Sequence, residues 1–207
     1  GFTNPLFPIF LNNTFFLLSA TVLSLFCSYT FEKFKRNNFM QLLIIEEEKN
    51  KSDELLLNIL PYETAQELKQ KGFADTKSFE SATIIFTDFK GFTQISERLS
   101  PKELVASINT CFSAFDEIME RYDIEKIKTI GDAYMAVGGL PTKDRSSPKA
   151  VVSAAIEIRD WLHDYSMREH ELAFEIRIGI HTGPVIAGVV GIKKFSYDIW
   201  GDSVNTA

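Results

Sequence analysis

A chain of 207 residues with 22 basic and 28 acidic side chains carries a formal net charge of −6, which argues against a nucleic-acid surface. Two cysteines, Cys27 and Cys111, exclude a disulfide framework and are read as packing residues. Nine of the eighteen phenylalanines fall within the first 39 residues, so that end meets a different environment from the rest.

Residues 1–31 contain no charged side chain. Positions 6–30 form a 25-residue stretch, and about 20 apolar residues suffice to span a bilayer. Pro8, Asn12 and Asn13 weaken its outer end, and Glu32, Lys33, Lys35 and Arg36 follow it. Basic residues at that place put the following segment on the cytoplasmic side. A secretory signal would carry its basic flank ahead of the apolar run, where this chain has none. Position 1 is Gly rather than Met, which is read as the start of a fragment.

Residues 39–60 read as helix, with Leu42, Ile45, Leu56 and Ile59 at a and d spacing and polar Lys49 and Ser52 at the centre. Such a seam makes a poor coiled coil but suits a helix that pairs two chains. Pro61 ends or kinks it; residues 62–71 continue as a short helix stopped by Gly72.

Residues 82–86 are apolar and β-branched, the pattern of a buried strand, and deliver Asp88 at its end beside Gly91 and a helix start. A carboxylate there can hold a cation, while free N–H groups of the helix start can hold a phosphate. Alone, the pattern is a weak signal and a capping Asp is the favoured reading. Ser100 and Glu103 with Pro101 between them form a capping box. Leu104, Ile108, Cys111, Phe112, Phe115, Ile118 and Met119 then recur at helical spacing.

Gly131-Asp132, flanked by alternating apolar residues, reads as a hairpin tip carrying a second carboxylate. Two such carboxylates on neighbouring strand ends can share divalent ions about 3.5–4 Å apart, a geometry suited to attack on phosphorus. A polar loop spans 141–148, and a helix over 148–165 lines up Val151, Ala154, Ala155, Ile158 and Leu162. Residues 173–180 alternate as a strand, and the stretch 195–205 adds Asp198 and Asn205. The order strand, helix, strand, strand, helix, strand is ferredoxin-like, an α+β class. No GxxxxGK[ST] or GxGxxG run occurs.

The stretches 83–93, 126–139 and 195–205, with the run Gly-Ile-His-Thr-Gly-Pro-Val-Ile-Ala-Gly-Val-Val-Gly over 179–191, resemble the class III nucleotidyl cyclase catalytic domain. Spacings agree as well as residue types: Lys128 lies four residues before Asp132, and Asn205 seven after Asp198. The resemblance implies a βαββαβ catalytic domain over 81–207; the uncharged apolar stretch before it is read as a transmembrane helix over 1–31, and residues 32–80 are similar to the family's juxtamembrane signalling helix. It implies attack of a ribose 3′-hydroxyl on the α-phosphorus of a nucleoside triphosphate. Asp88, Asp132 and the carbonyl of Phe89 would hold two Mg²⁺ or Mn²⁺ ions. The N–H groups of Gly91, Phe92 and Thr93 would cradle phosphate, and Asn205 would orient the ribose. The site would form head to tail in a homodimer, with the carboxylates from one chain and the purine pair and Asn205 from the other.

Lys128 can only donate and ionised Asp198 can only accept, which matches N1 and N6 of adenine and mismatches guanine. Guanylyl members carry Glu and a small residue such as Cys at these two places. The expectation is therefore a membrane-anchored adenylyl cyclase that converts ATP to cyclic AMP, with its catalytic domain in the cytoplasm. The alternatives are a guanylyl cyclase and a degenerate cyclase-like regulatory module. A diguanylate cyclase would need a GG[DE]EF turn, and Gly138-Gly139 is followed by Leu140 and Pro141. The family places a transition-state Arg four residues beyond the Asn, with closing strands and a phosphate-binding Lys. Those positions lie past Ala207, so the domain is expected to be C-terminally incomplete. His163, His170 and His181 lack partners at ligand spacing and are read as structural or solvated. Lys90 is read as a surface charge.

Overall fold

Leu6–Leu57 form one uninterrupted helix, α1, of 52 residues in the computed structural model, which describes residues 6–142, 145–168, 174–191 and 193–207. The apolar stretch and the segment from Phe39 are thus continuous, because no Gly or Pro lies between Pro8 and Pro61. At a rise of 1.5 Å per residue, a 25-residue apolar stretch is about 37 Å long, more than the roughly 30 Å of a bilayer core. Some of its hydroxyls are satisfied within the helix: those of Thr14, Ser19 and Thr30 donate to carbonyls one turn earlier, at 2.7–3.0 Å. Cys27, expected to pack, is exposed on α1 among the described residues. Leu42 and Ile45 are exposed in the same way.

The chain divides into two compact units, 1–55 and 56–207. The second begins with a turn in which the N–H groups of Ile59 and Leu60 donate to the Leu56 carbonyl, followed by helix α2 (Tyr62–Lys71). Pro61 occupies the α2 N-cap position, and Gly72, at φ 79°, closes the helix in the left-handed conformation that a side chain resists.

The strands are β1 (Lys77–Lys90), β2 (Glu125–Ile130), β3 (Ala133–Gly138), β4 (Glu175–Val190) and β5 (Ser196–Trp200). They form one antiparallel sheet in the order β2-β3-β1-β4-β5, which is the ferredoxin-like arrangement with a fifth strand at one edge. Helix α3 (Phe92–Ser96) and α4 (Pro101–Arg121) link β1 to β2, α5 (Pro148–Arg168) links β3 to β4, and α6 (Asp202–Thr206) follows β5. The capping box at Ser100 and Glu103 is present in both directions.

Two strands differ from their sequence readings. β1 starts at Lys77 and runs to Lys90, beyond the apolar core at 82–86, and β4 runs sixteen residues rather than stopping near Ile180. The β1–β4 register slips between Phe79 and Ala82, opposite Pro184, which has no N–H to give to the ladder. Polar Glu80 and Ser81 at this irregularity hide the strand from a hydrophobic pattern.

Each face of the sheet has its own core. On one face, α4 and α5 pack Cys111, Phe115, Ile118, Val151, Ala154, Ile158 and Leu162 against Ile85, Phe89, Tyr134 and Ala136. Burial pushes the Cys111 thiol up to about 12, as suits an inert packing residue. On the other face, Leu60 and Ala65 lie over Ile84, Met135, Val137, Val185 and Ile199.

Candidate active site

Strand alternation decides what each β1 residue can reach. Ile85 and Phe89 enter the helix-side core, so Phe86 and Asp88 face the opposite side with Ile84. Asp88 is half-buried and stands opposite Ala133 on β3, next to the hairpin tip. Gly131 holds φ 64° in the two-residue connection, which presents Asp132. Burial raises the Asp132 carboxyl above its ordinary value, and the neighbouring Asp88 carboxylate raises it further by charge and hydrogen bonding. The structure therefore brings the two acids together.

That arrangement fits a divalent cation. Two hard oxygen donors in mutual repulsion are a donor set that Mg²⁺ or Mn²⁺ relieves. Among the described residues no group of three His, Cys, Asp or Glu side chains is assembled. Further ligands would come from a main-chain carbonyl such as that of Phe89, from water and from a bound phosphate. The repulsion has a measurable sign. A carboxyl whose folded-state value is raised contributes stability at low pH that is lost as pH rises through that value. Asp132→Asn should therefore raise the melting temperature of the metal-free protein at neutral pH. The gain should shrink as pH falls toward 3.8, the ordinary Asp value. Thermal melts with chelator across pH check this, and an unchanged or lower neutral-pH melting temperature would show that the acids do not strain one another.

Immediately after β1, Gly91 takes φ 70° and caps α3, so Phe92 and Thr93 open that helix. N–H groups in a first turn have no acceptor within the helix. The Gly91 carbonyl accepts from the N–H groups of Gln94 and Ile95. The Phe92 ring meets that of Phe89, centroids 6.4 Å apart. Lys90 pairs with Glu175, Nζ to Oε2 2.6 Å, with both side chains exposed, in keeping with a surface charge.

Lys128, Asp198 and Asn205 meet in one cavity of about 390 Å³. The Lys128 ammonium donates to Asp198 Oδ2 at 2.6 Å, and the N–H of Ile199 donates to Asp198 Oδ1 at 2.9 Å. The walls are apolar: Phe86, Ile130, Met135, Ile199 and Trp200. These wall residues were not singled out in the sequence; the period-2 alternation of β5, with Trp200 two residues after Asp198, was the available signal. Asn205 reaches the cavity because α6 lies close on β4. A side chain at Gly179 would strike the Ala207 carbonyl, and one at Gly183 would strike the Ser203 hydroxyl. Asp88 and Asp132 are not among the residues lining this cavity. His163 is exposed and His181 half-buried, while His170 lies outside the described residues.

Residues 74–207 match the family model described as adenylate and guanylate cyclase catalytic domain. The chain belongs to that family. The cyclase-family chain is 36% identical over 197 residues, 95% of its length, to "Guanylyl cyclase, membrane" of Dictyostelium discoideum. It is 41% identical over 165 residues, 78% of its length, to atrial natriuretic peptide receptor 2 of Rattus norvegicus. It spans 13% and 16% of the lengths of these relatives. Among solved structures it resembles the catalytic core of a rhodopsin-guanylyl cyclase with converted specificity in complex with ATPαS. That match has TM-score 0.57 and 36% identity, and covers 64% of this chain and 72% of the other. It also resembles the adenylyl cyclase CyaB from P. aeruginosa, with TM-score 0.57 and 29% identity, over 63% of this chain and 70% of the other.

Proposed function

We propose that this protein is a nucleotide cyclase that closes the 3′-hydroxyl of a purine nucleoside triphosphate onto its α-phosphorus and releases pyrophosphate. The observation that carries the reading is the pairing of two half-sites on one domain. Asp88 faces Asp132 beside the opening of α3, and Lys128, Asp198 and Asn205 share a separate cavity. In a head-to-tail homodimer each half would complete the other's partner. Two divalent ions at Asp88, Asp132 and the Phe89 carbonyl would lower the pKa of the attacking hydroxyl and neutralise the triphosphate. The N–H groups of Gly91, Phe92 and Thr93 would donate to phosphate oxygens, and Asn205 would hold the ribose. Helix α1, long and apolar enough to cross a membrane, would anchor the protein with its catalytic domain in the cytoplasm.

For the base, we read ATP as the substrate. Adenine accepts at N1 and donates at N6, which complements an ammonium and a carboxylate; guanine presents the reverse and would leave both half-buried groups mispaired. The second reading, GTP, is the one the comparisons favour over ATP, because both curated relatives named above belong among membrane guanylyl cyclases and receptors. Against it stands the solved guanylyl cyclase of converted specificity, which binds an ATP analogue, so overall likeness in this family does not dictate the base. Comparing cyclic nucleotide formation from Mn²⁺-ATP and Mn²⁺-GTP decides between them. Replacing Lys128 by Glu together with Asp198 by Cys should then move preference toward GTP with some loss of rate. An active double variant that keeps its ATP preference would mean that other residues read the purine.

A further inference from the structure

On β2, Lys126 pairs with Ala136 whereas Lys128 pairs with Met135, so one extra residue, Ile127, is accommodated between them. In a regular strand Lys126 and Lys128 would point to the same face. The bulge separates them. Ala136 belongs to the helix-side core and Met135 to the opposite one, and Ile127 packs with the latter. Lys128 thereby joins the cavity with Asp198, and Lys126 is left on the helix side.

There Lys126 is held. Its ammonium donates to Asp116 Oδ2 on α4 at 2.7 Å and stands 5.1 Å from the centroid of the Tyr134 ring. The hydroxyl of Tyr134, a fully buried residue, donates to Asp116 Oδ1 at 2.6 Å. One carboxylate on α4 thus grips both strands of the hairpin, at Lys126 two residues before Lys128 and at Tyr134 two residues after Asp132. We propose that Asp116, Lys126 and Tyr134 are positioning residues that lock the β2 bulge in register and so aim Lys128 at the purine. If that lock is loosened, β2 can slip by one residue, and a one-residue slip turns Lys128 away from the cavity.

The inference rests on the reading of Lys128 as the base-selecting donor, and the test separates the two. The ratio of kcat/KM for Mn²⁺-ATP to that for Mn²⁺-GTP is measured on the full-length protein with Asp116→Asn, Tyr134→Phe, Lys126→Met and, as reference, Lys128→Ala. Circular dichroism melts score folding. A loss of packing alone lowers melting temperature and both activities together and leaves the ratio in place. Misaimed Lys128 lowers the ratio, by about tenfold for one lost charged hydrogen bond. The expected result is a ratio reduced by Lys128→Ala and also by the three positioning variants. If Lys128→Ala lowers it while folded, active Asp116→Asn and Tyr134→Phe proteins keep it within twofold, the positioning role is overturned and the base reading stands. If Lys128→Ala itself leaves the ratio unchanged, the base reading fails and this inference with it. Should Asp116→Asn or Tyr134→Phe not fold, Lys126→Met, whose side chain is partly solvated, decides alone.

Discussion

Replacing Asp88 or Asp132 by alanine in the full-length protein is expected to lower turnover by about three orders of magnitude, the scale on which removal of one preorganised electrostatic contact acts. Folding should survive. Burial first, and the Asp88 carboxylate second, push the Asp132 carboxyl above its ordinary value in the metal-free domain, so taking one acid away removes a strain rather than a support. Neither side chain is part of the two apolar cores. The measurement is cyclic nucleotide formation with Mn²⁺, alongside a melt on the same preparation. Near-normal turnover in either variant would sink the two-metal assignment, and a dead but unfolded variant would show that the carboxylate is structural.

The second large effect is a gain. Full-length Asp88→Ala and Lys128→Ala proteins should each be nearly inactive, and their mixture should not be. In a head-to-tail dimer, random exchange makes about half of the dimers mixed, each with one intact site of two, so activity should recover to about a quarter of wild type. Chain exchange is verified with differently tagged variants. A mixture that stays inactive after demonstrated exchange would place the carboxylates and the purine pair in the same chain's site. Within one domain neither acid lines the cavity around Lys128, Asp198 and Asn205.

Much of this was legible in the residues. Faces of α4 and α5 follow from helical spacing: Cys111, Phe115, Ile118 and Met119, then Val151, Ala154, Ala155, Ile158 and Leu162, are buried as their period requires. The hairpin tip at Gly131 and Asp132, the capping box and the Gly72 stop are local chemistry, readable from a few neighbouring residues. What escaped depends on contacts distant in sequence. The full length of β1 and β4 follows from their pairing across an irregularity opposite Pro184, not from their own patterns. The bulge at Ile127 leaves no mark in composition, and its partner Asp116 lies on another element, ten residues before Lys126. The apolar cavity walls come from four separate elements. Cys27 differs from its reading because an apolar neighbourhood in sequence resembles a protein core, while the side chain is exposed on α1.

Asp88 has Phe89 beside it, and that ring lies among those of Phe92, Phe112, Phe115 and Phe174, with centroids 4.9–6.4 Å away. The backbone at Asp88 is also laddered on both sides, to Ala133 and to Arg177. Fixing one residue's backbone costs about 1–2 kcal/mol of conformational entropy, and for Asp88 folding has already met that cost. A cation arriving there orders little further chain, so its affinity at this carboxylate is governed by charge and by the water it sheds. Asp132 lies in the two-residue tip, outside the β2–β3 ladder that ends at Ile130 and Ala133, and the freedom lost on binding falls mainly on that side of the pair.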